Sequence, residues 1–336
     1  MSEEKILLDH GSGGKLSHAL FTDLILPLFK SRELSVQDDG AVLDFGGQKL
    51  AFSTDSYVVD PVFFPGGNIG DLAVNGTVND IAMCGAVPQV ISVGLIIEEG
   101  FLIKELKQIL ESMAEAAARA GVKIVTGDTK VVPRGKADKI FINTAGIGVM
   151  LPGVQVSGSN AQPGDQIIVS GTIADHGMAV LTTREGLSFE TAIQTDSAPL
   201  NRMVQAVLES GCDVHVLRDP TRGGLGTTLN EIAIQSGVGI RINEKAVPVQ
   251  GAVQGCCELL GFDPLYIANE GKLICFVSEA SAQKVLEIIQ ADEFGKDAVI
   301  IGEVTADDPG AVFLETVIGG VRRLDMLTGE QLPRIC

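Results

Sequence analysis

The sequence is poor in aromatic residues and in basic charge, and the second shortage excludes whole classes of partner. Of 336 residues only 4% are aromatic, with no tryptophan and two tyrosines. The 25 Lys and Arg residues are outnumbered by 43 Asp and Glu, which gives a formal net charge of −18. Nucleic acids and anionic membranes both require a basic surface, so neither is expected as a partner. A polyanionic ligand must therefore bring cations with it or find a local electropositive pocket.

The sequence also lacks long apolar runs and paired-cysteine motifs. No segment offers the roughly 18 uncharged apolar residues of a membrane span, and Met1–Lys5 has no apolar signal core. The six cysteines show no CxxC pair or zinc-finger spacing, so Cys84, Cys212 and Cys275 are expected to be reduced and buried. These absences favour a cytoplasmic protein. Cys336 differs from the other cysteines because it is the last residue.

Aliphatic residues are abundant, and their periodicity predicts alternating strands and helices in two halves. The clearest helix is Phe101–Gly121, in which apolar residues recur at helical spacing. A turn-rich stretch follows at Leu151–Gly164. We therefore predict an N-terminal domain at 1–152, a C-terminal domain at 153–323 and an irregular tail at 324–336. Two α/β halves result, and an α+β sheet with helices on one face is as compatible with the pattern as a parallel, doubly wound sheet.

Four short acidic motifs are the strongest chemical signal. They are Asp38-Asp39-Gly40-Ala41, Ser53-Thr54-Asp55, Asn79-Asp80 and Thr126-Gly127-Asp128-Thr129, the last of which is predicted to end the strand Val122–Thr126. Mg²⁺ takes oxygen ligands and is usually held by a few carboxylates together with nucleotide phosphates. Aspartate beside glycine also forms turns and helix caps, and this explanation suffices for any one motif alone. Four motifs in one domain favour a magnesium–nucleotide site.

Two glycine-rich segments are suited to covering phosphate with backbone N–H groups. Gly11-Ser12-Gly13-Gly14-Lys15 adds one cation but lacks the spacing of a Walker A loop. Asp219–Gly224 (DPTRGG) combines a strand exit, a capping threonine and a glycine-rich helix start. Taken alone, the first segment is equally well explained as a flexible leader and the second as a capped turn.

In their order along the chain, these motifs resemble the ATP-binding elements of the aminoimidazole ribonucleotide synthetase (PurM)-like superfamily. That superfamily includes selenophosphate synthetases, thiamine-monophosphate kinases and the HypE family of hydrogenase maturation proteins. The similarity to the HypE family rests on five segments, His10–Gly14 (HGSGG), Phe52–Asn68 (FSTDSYVVDPVFFPGGN), Thr126–Val131 (TGDTKV), Ala268–Lys272 (ANEGK) and Pro333–Cys336 (PRIC). The terminal cysteine is the most discriminating of these features.

The resemblance implies a fold and a reaction. The expected fold is an N-terminal sheet domain that forms a dimer barrel, a C-terminal α/β domain and a flexible tail. The expected reaction uses ATP to dehydrate a carbamoyl group on the thiol of Cys336 to a thiocyanate, which supplies the cyanide ligand of a NiFe-hydrogenase iron. The expected cofactors are ATP and Mg²⁺. The expected partners are a HypF-like carbamoyltransferase, a HypC–HypD-like iron carrier and a second copy of the chain.

The resemblance also implies roles for individual residues. Cys336 is the expected carrier thiol, Lys130 the group that stabilises the transferring phosphoryl, and Glu270 the base for the carbamoyl nitrogen. The expected cofactor-binding residues are Gly11, Gly13, Gly14, Lys15, Asp39, Asp55, Asp80, Asp128 and Asp219. The five aspartates among them are the expected Mg²⁺ ligands. Asp38 is the alternative to Asp39, because adjacent carboxylates cannot be ranked from sequence.

The carboxylate of the last residue disfavours a thiolate at Cys336, so we expect compensation from Arg334 and from a basic group in the pocket or in a partner protein. We also expect a tail that moves out to collect the carbamoyl group and in to meet ATP. His176 is expected to be exposed or to pack, without a chemical role.

Two other functions stay open on the sequence alone. A small-molecule kinase or synthetase of the same superfamily, similar to thiamine-monophosphate kinases, shares the acidic motifs but gives no role to Pro333–Cys336. A binding or scaffold protein would use ATP structurally and its tail only for docking.

Overall fold

The first half of the chain forms a five-stranded sheet with two long helices packed against it. The computed structural model describes residues 5–187, 193–329, 332 and 334–336. The strands of this half are β1 (Ala41–Phe45), β2 (Gln48–Tyr57), β3 (Phe63–Phe64), β4 (Gly67–Asn68), β5 (Ala86–Glu98), β6 (Lys123–Val132) and β7 (Ile140–Met150). The helices are α1 (Lys15–Ala19), α2 (Leu26–Phe29), α3 (Ile69–Met83) and α4 (Ile103–Ala120). The sheet order is β1-β2-β7-β5-β6, and β3 and β4 form a separate hairpin.

The long helices begin and end where their capping residues dictate. The Asn68 side chain accepts a hydrogen bond from Gly70 N at 2.8 Å, and the Asp71 side chain accepts one from Asn68 N at 2.7 Å, which together form a capping box for α3. Helix α4 ends at Gly121, whose φ of +78° favours glycine. The predicted helix at Phe101–Gly121 is thereby confirmed to within two residues. Helix α3 packs across β2, β5 and β7, and α4 packs on α3 and β6.

Strand β6 is longer than predicted. The motif at Thr126–Thr129 lies inside it rather than at its end. Gly127 continues the strand because it lies close to β5, where a Cβ atom at this position would be 2.4 Å from the carbonyl oxygen of Val93. The glycine was therefore a sign of close strand packing, and the prediction that the strand ends at Thr126 was wrong.

The second half forms a seven-stranded sheet. Its strands are β8 (Gln166–Val169), β9 (Val214–Arg218), β10 (Gly239–Asn243), β11 (Ile274–Val277), β12 (Val299–Thr305), β13 (Val312–Glu315) and β14 (Val321–Leu324), in the order β14-β13-β10-β12-β8-β11-β9. Its helices are α5 (Asp175–Arg184), α6 (Asn201–Glu209), α7 (Gly224–Ser236), α8 (Gly251–Leu260) and α9 (Glu279–Ala291). In each of the two sheets a single strand pair is parallel and the others are antiparallel. This topology confirms the α+β class and excludes the doubly wound alternative.

Helix α3 joins the two halves through buried polar groups. Asn79, which is 1% exposed, donates from Nδ2 to the carbonyl oxygen of Ala198 at 3.0 Å, and its Oδ1 accepts from Leu200 N at 2.8 Å. Asn75 donates to Ser197 Oγ at 3.0 Å. An unpaired amide here would cost the desolvation free energy of a buried polar group, so these bonds fix how the halves meet. In the described part of the chain, no helix has both the length and the apolar character needed to cross a membrane.

Candidate functional site

A cavity of about 230 Å³ lies where the N-terminal segment, β2, the start of α7 and the chain end come together. Its polar and thiol-bearing lining consists of Ser12, Ser56, Arg222, Tyr266, Arg334 and Cys336. The terminal thiol is therefore held in a pocket that both halves build. Cys336 forms no disulfide.

The last residues pair with the backbone that follows β2. Val58 N donates to a terminal carboxylate oxygen of Cys336 at 3.0 Å, and Asp60 N donates to the carbonyl oxygen of Arg334 at 3.2 Å. The side chain of Ile335 is 3% exposed and belongs to the core of the first half. Burial of this side chain and the antiparallel pairing position Cys336 at the cavity. Pro333, part of the predicted terminal motif, lies outside the described residues.

Arg222, and not Arg334, is the cation that faces the terminal cysteine. The guanidinium of Arg334 donates from Nε to the Val58 carbonyl oxygen at 2.9 Å and forms an ion pair with Asp138. Arg222 donates from Nη1 to the carbonyl oxygen of Gly11 at 2.8 Å and lines the cavity. The negative charge of Cys336 is the largest cause that raises the pKa of Arg222, ahead of the opposing effect of burial. Arg222 thus matches the expected basic group of the pocket, and Arg334, although it lines the same cavity, is engaged by Val58 and Asp138.

Four predicted carboxylates interact electrostatically with one another next to this cavity. Burial, followed by the charges of Asp219, Asp55 and Asp39, raises the pKa of Asp80 well above its usual range, although Ser53 Oγ donates to Asp80 Oδ2 at 2.6 Å. Burial also raises the pKa of Asp219 to about 6, and the charge of Asp55 adds to the effect. Concentrated negative charge with little solvent is stabilised by a bound cation.

Glu270 belongs to the same cluster. It is 4% exposed, and its pKa is raised well above its usual range by burial and then by the charges of Asp55, Asp219 and Asp196, while Arg222 opposes the shift. Its Oε1 is buried and has no hydrogen-bond partner. Both Glu270 and Cys336 act electrostatically on Arg222, and a buried carboxylate with a raised pKa has the properties of a proton acceptor.

The two adjacent aspartates have different surroundings. Asp38 Oδ1 accepts from Gly158 N at 2.8 Å, which ties this loop to the second half. Asp39 Oδ1 lies 2.6 Å from Arg218 Nε in a buried ion pair, whereas its Oδ2 is buried without a hydrogen-bond partner. Asp39 therefore has an oxygen available for a cation and Asp38 is occupied structurally.

Asp128 and Lys130 lie apart from the cavity, on β6. Their side chains are 68% and 69% exposed, and Lys130 Nζ is 2.7 Å from Asp128 Oδ2. The hydrogen bond from Lys130 is the main cause that lowers the pKa of Asp128. Neither residue lines the cavity that holds Cys336.

The glycine-rich segment packs against the second half. Gly13 has a φ of +77°, and Gly14 approaches Leu327 so closely that a Cβ atom would lie 2.5 Å from its carbonyl oxygen. Gly13 N donates to Ser17 Oγ at 3.0 Å and Lys15 N donates to the Leu327 carbonyl at 3.0 Å. Gly11 contributes to the cavity lining, while the N–H groups of Gly13, Gly14 and Lys15 are bonded within the chain.

The described residues contain no group of three His, Cys, Asp or Glu side chains placed to hold a metal ion by themselves. The orphaned oxygens of Asp39 and Glu270 and the raised pKa values still fit a cation. Mg²⁺ commonly takes one or two carboxylates and completes its shell with water and substrate phosphates. The cluster therefore fits Mg²⁺ brought in together with a nucleotide.

Sequence reasoning missed three residues of the site. Arg222 stood inside a motif that we had interpreted through its aspartate and glycines, and Arg218 was treated only as the end of a strand. Tyr57, which is 1% exposed on β2, has a pKa raised by burial and by the charges of Asp55, Asp80 and Glu270. The position of Arg222 three residues after Asp219 was a usable signal, but its contact with the cavity that holds Cys336 depends on the path of the tail.

Comparison with known proteins gives two family matches. Residues 37–150 match the AIR synthase related protein N-terminal domain and residues 162–315 the AIR synthase related protein C-terminal domain. The carbamoyl dehydratase HypE of Azotobacter vinelandii is 50% identical over 327 residues, which cover 97% of this chain and 96% of that protein.

Solved structures agree with these matches. A structure of hydrogenase maturation protein HypE in complex with ATP has a TM-score of 0.84 and 52% identity, and covers 99% of this chain and 100% of that chain. A HypE–HypF complex gives a TM-score of 0.88 and 49% identity, and covers 92% of this chain and 100% of that chain. A thiamine monophosphate kinase from Aquifex aeolicus gives 0.66 at 19% identity, over 90% of this chain and 98% of that chain, which is a likeness of fold alone.

Proposed function

The chain belongs to the AIR synthase related family and, within it, to the carbamoyl dehydratases of the HypE type, and we propose that it uses ATP to dehydrate a carbamoyl group on its own Cys336. The observation that carries this proposal is the terminal thiol held in a cavity beside Arg222 and a cluster of buried carboxylates. A kinase for a separate small molecule would need this space for its substrate. The tail occupies it instead.

The proposed chemistry removes one water from the carbamoyl group in two steps. The carbamoyl oxygen attacks the γ-phosphorus of ATP, ADP leaves, and the nitrogen loses one proton. The phosphorylated oxygen then departs as phosphate while the nitrogen loses its second proton, which leaves a sulfur-bound nitrile. Phosphorylation is needed because an amide oxygen is a poor leaving group.

The residues of the cluster divide this work. Glu270 accepts the protons of the carbamoyl nitrogen, because its raised pKa makes it a better base than an exposed carboxylate. Arg222 stabilises the thiolate that receives the carbamoyl group. Asp39, Asp55, Asp80 and Asp219 bind the nucleotide through Mg²⁺, which neutralises phosphate charge.

Asp128 remains a candidate Mg²⁺ ligand, and Lys130 remains the candidate for contact with the transferring phosphoryl group. Because Lys130 Nζ lies 2.7 Å from Asp128 Oδ2, this ion pair has to open before Lys130 reaches a phosphoryl group. The predicted glycine-rich segment from Gly11 to Lys15 requires a similar rearrangement before its N–H groups can cover phosphate.

The proposed partners follow from the reaction. A HypE protein of known structure forms a complex with HypF, and a HypF-like carbamoyltransferase is the proposed loader of Cys336. A HypC–HypD-like iron carrier is the proposed acceptor of the cyano group. We further propose a homodimer formed through β6, an exposed edge strand with apolar side chains. We also propose the cytoplasm as the compartment, because the reaction requires a reduced thiol and ATP.

Intact-mass spectrometry tests the proposed function. Incubation with a carbamoyl donor and a HypF-type carbamoyltransferase is expected to add the mass of one carbamoyl group to Cys336, and MgATP is then expected to remove the mass of one water. The Cys336→Ser variant should show neither change and should still bind ATP, whereas Glu270→Gln should load but not dehydrate. Loading of another cysteine, or no dehydration of loaded protein, would contradict the proposal.

A further inference from the structure

Two residues of α5 hold the chain end through its carbonyl groups. His176 Nε2 lies 2.8 Å from the carbonyl oxygen of Ile335. Arg184 donates from Nη2 to the carbonyl oxygen of Arg334 at 2.7 Å and from Nε to that of Asp60, also at 2.7 Å. These contacts come from the second half of the chain, opposite the backbone pairing with Val58 and Asp60 in the first half. The tail therefore forms hydrogen bonds with both halves of the protein.

His176 is more than a packing residue. Its ring is 0% exposed and stands edge-on to Phe64, with the ring centroids 5.4 Å apart. Its Nδ1 lies 2.8 Å from Thr195 Oγ1, and that same Oγ1 accepts from Ser197 N at 3.0 Å. A side chain buried this completely, with both ring nitrogens engaged, has one orientation only.

The hydrogen-bond partners fix the tautomer of the ring. A carbonyl oxygen only accepts, so Nε2 carries the proton and donates to Ile335. Burial is the largest cause that lowers the pKa of His176, which keeps the ring neutral, so Nδ1 accepts the hydroxyl proton of Thr195. The hydroxyl of Thr195 can fill both roles, because it donates its one proton to Nδ1 while a lone pair of its oxygen accepts from Ser197 N. A connected series of hydrogen bonds thus runs from Ser197 N through Thr195 Oγ1 and the His176 ring to the carbonyl oxygen of Ile335.

We propose that His176 is a positioning residue that latches the tail in the inward state required for dehydration, and that loading of the thiol requires the latch to open. The proposal rests on the proposed function of Cys336. Because the latch binds a backbone carbonyl and not the thiol, it holds the loaded and the unloaded tail equally well. The strength of the latch therefore sets the balance between the two steps.

This arrangement predicts opposite effects on the two half-reactions. Loss of one hydrogen bond from a buried donor is expected to shift the docked fraction on the order of tenfold. A weaker latch leaves the thiol outside more often, which favours loading and slows dehydration. A residue that served only the stability of the fold would change both steps in the same direction.

The test compares His176→Leu, which packs but cannot donate, with His176→Gln, whose amide nitrogen can replace Nε2. Each variant is loaded with the carbamoyltransferase and then mixed with MgATP in a single turnover, and both steps are followed by intact mass. Removal of Cys336 by carboxypeptidase reports how often the tail is out. Thr183→Val serves as the control in the same helix, because the Thr183 hydroxyl bonds to its own helix at Ala179.

For His176→Leu we expect faster carboxypeptidase cleavage and slower dehydration, each on the order of tenfold, with loading unchanged or faster. His176→Gln should recover most of the dehydration rate. Parallel slowing of both steps, or dehydration at the native rate, would overturn the latch. If His176→Leu does not fold, Thr195→Val removes the Nδ1 partner and is expected to give the same pattern in weaker form. Failure of the native loaded protein to dehydrate would instead overturn the proposed function.

Discussion

Buried charge at single residues determines what this protein can bind and how stable it is without a ligand. The carboxylates of this cluster repel one another and have lost much of their hydration, so they carry unfavourable electrostatic free energy that a cation can offset. Arg218 offsets part of it through its buried ion pairs with Asp39 at 2.6 Å and Glu231 at 3.0 Å. The proposed MgATP would offset more, so nucleotide binding is expected to stabilise the fold as well as to begin the reaction.

Asp175, at the start of α5, allows the free-energy cost of a buried carboxylate to be measured away from the proposed nucleotide site. It is 2% exposed, and burial is the main cause that raises its pKa to about 6. The folded state therefore holds the proton more tightly than the unfolded state, whose pKa is near 3.8. The contribution of Asp175 to the free energy of unfolding is therefore fully present below about pH 4, where both states are protonated. It is lost as the pH rises through about 6, where the buried carboxyl ionises.

We expect Asp175→Asn to raise the free energy of unfolding by on the order of 2–3 kcal/mol at pH 7 and by almost nothing near pH 4. Urea unfolding across this pH range measures the difference. Asp297→Asn, at an exposed position, should show no such pH dependence. A gain that is the same at both pH values would contradict the assignment to Asp175.

At the same scale, sequence motifs supplied residue types but not their partners. Asp55, Asp80, Asp219 and Glu270 come from different elements and meet only because the halves are joined at α3. The choice of Asp39 over Asp38 depends on which carboxylate a backbone N–H of Gly158 already occupies. The choice of Arg222 over Arg334 depends on the path of the tail. Distances between remote segments decide both questions, and no local pattern encodes them.

At the scale of elements, α3 is the structural centre of the site. Almost its whole length is buried, since it lies between the first sheet, α4 and the second half. Such a helix needs small residues wherever neighbours come close. Gly76 is the clearest case, because a Cβ atom there would be 2.1 Å from the hydroxyl oxygen of Tyr57.

Gly76→Ala is therefore expected to destabilise the protein by about 1–3 kcal/mol, although alanine is the better helix former. The control is Gly255→Ala in α8, where no atom lies within 4 Å of the added Cβ, and this change should stabilise by about 0.5–1 kcal/mol. Thermal unfolding distinguishes the two. Combining Gly76→Ala with Tyr57→Phe should recover part of the loss, and an unrelieved double variant would show that the hydroxyl is not the cause.

Helices and strands could be predicted from the sequence where one of their faces is exposed to solvent, because polar residues on that face then mark the period. Helix α4 has a clear apolar stripe and was located to within two residues. Helix α5 was missed, because most of its residues are buried and leave no polar face to mark a period. Strand β6 was cut short at a glycine that serves close packing. The tail has no period at all, and its position is set by hydrogen bonds to Val58, Asp60 and His176.

At the scale of the whole molecule, β6 is an exposed edge strand of the first sheet and is suited to pairing with a second chain. Among the strands that the structure describes, it pairs with β5 alone, and Val125 and Val131 on it are 57% and 67% exposed. A long apolar edge strand left in water is prone to pair with other chains. Dimer formation through the first sheet would cover it.

We expect the native protein to be a dimer in solution and Val125→Lys to be a folded monomer, because a lysine on the edge would place unpaired charge in the interface. Size-exclusion chromatography with light scattering gives the masses. Ile318→Lys, at a position that is 92% exposed between β13 and β14, should remain dimeric. A native monomer, or a dimeric Val125→Lys, would place the interface elsewhere or remove it.

Because the chain end is attached to both halves, the position of the Cys336 thiol depends on the folding of the whole protein. Val58 N can donate to the Cys336 carboxylate only when the first sheet has formed, and His176 can donate to the Ile335 carbonyl only when the second half has folded against it. A half-folded chain cannot bring sulfur, Arg222 and Glu270 together. Activity at Cys336 is therefore expected only in molecules whose two halves have both folded and joined.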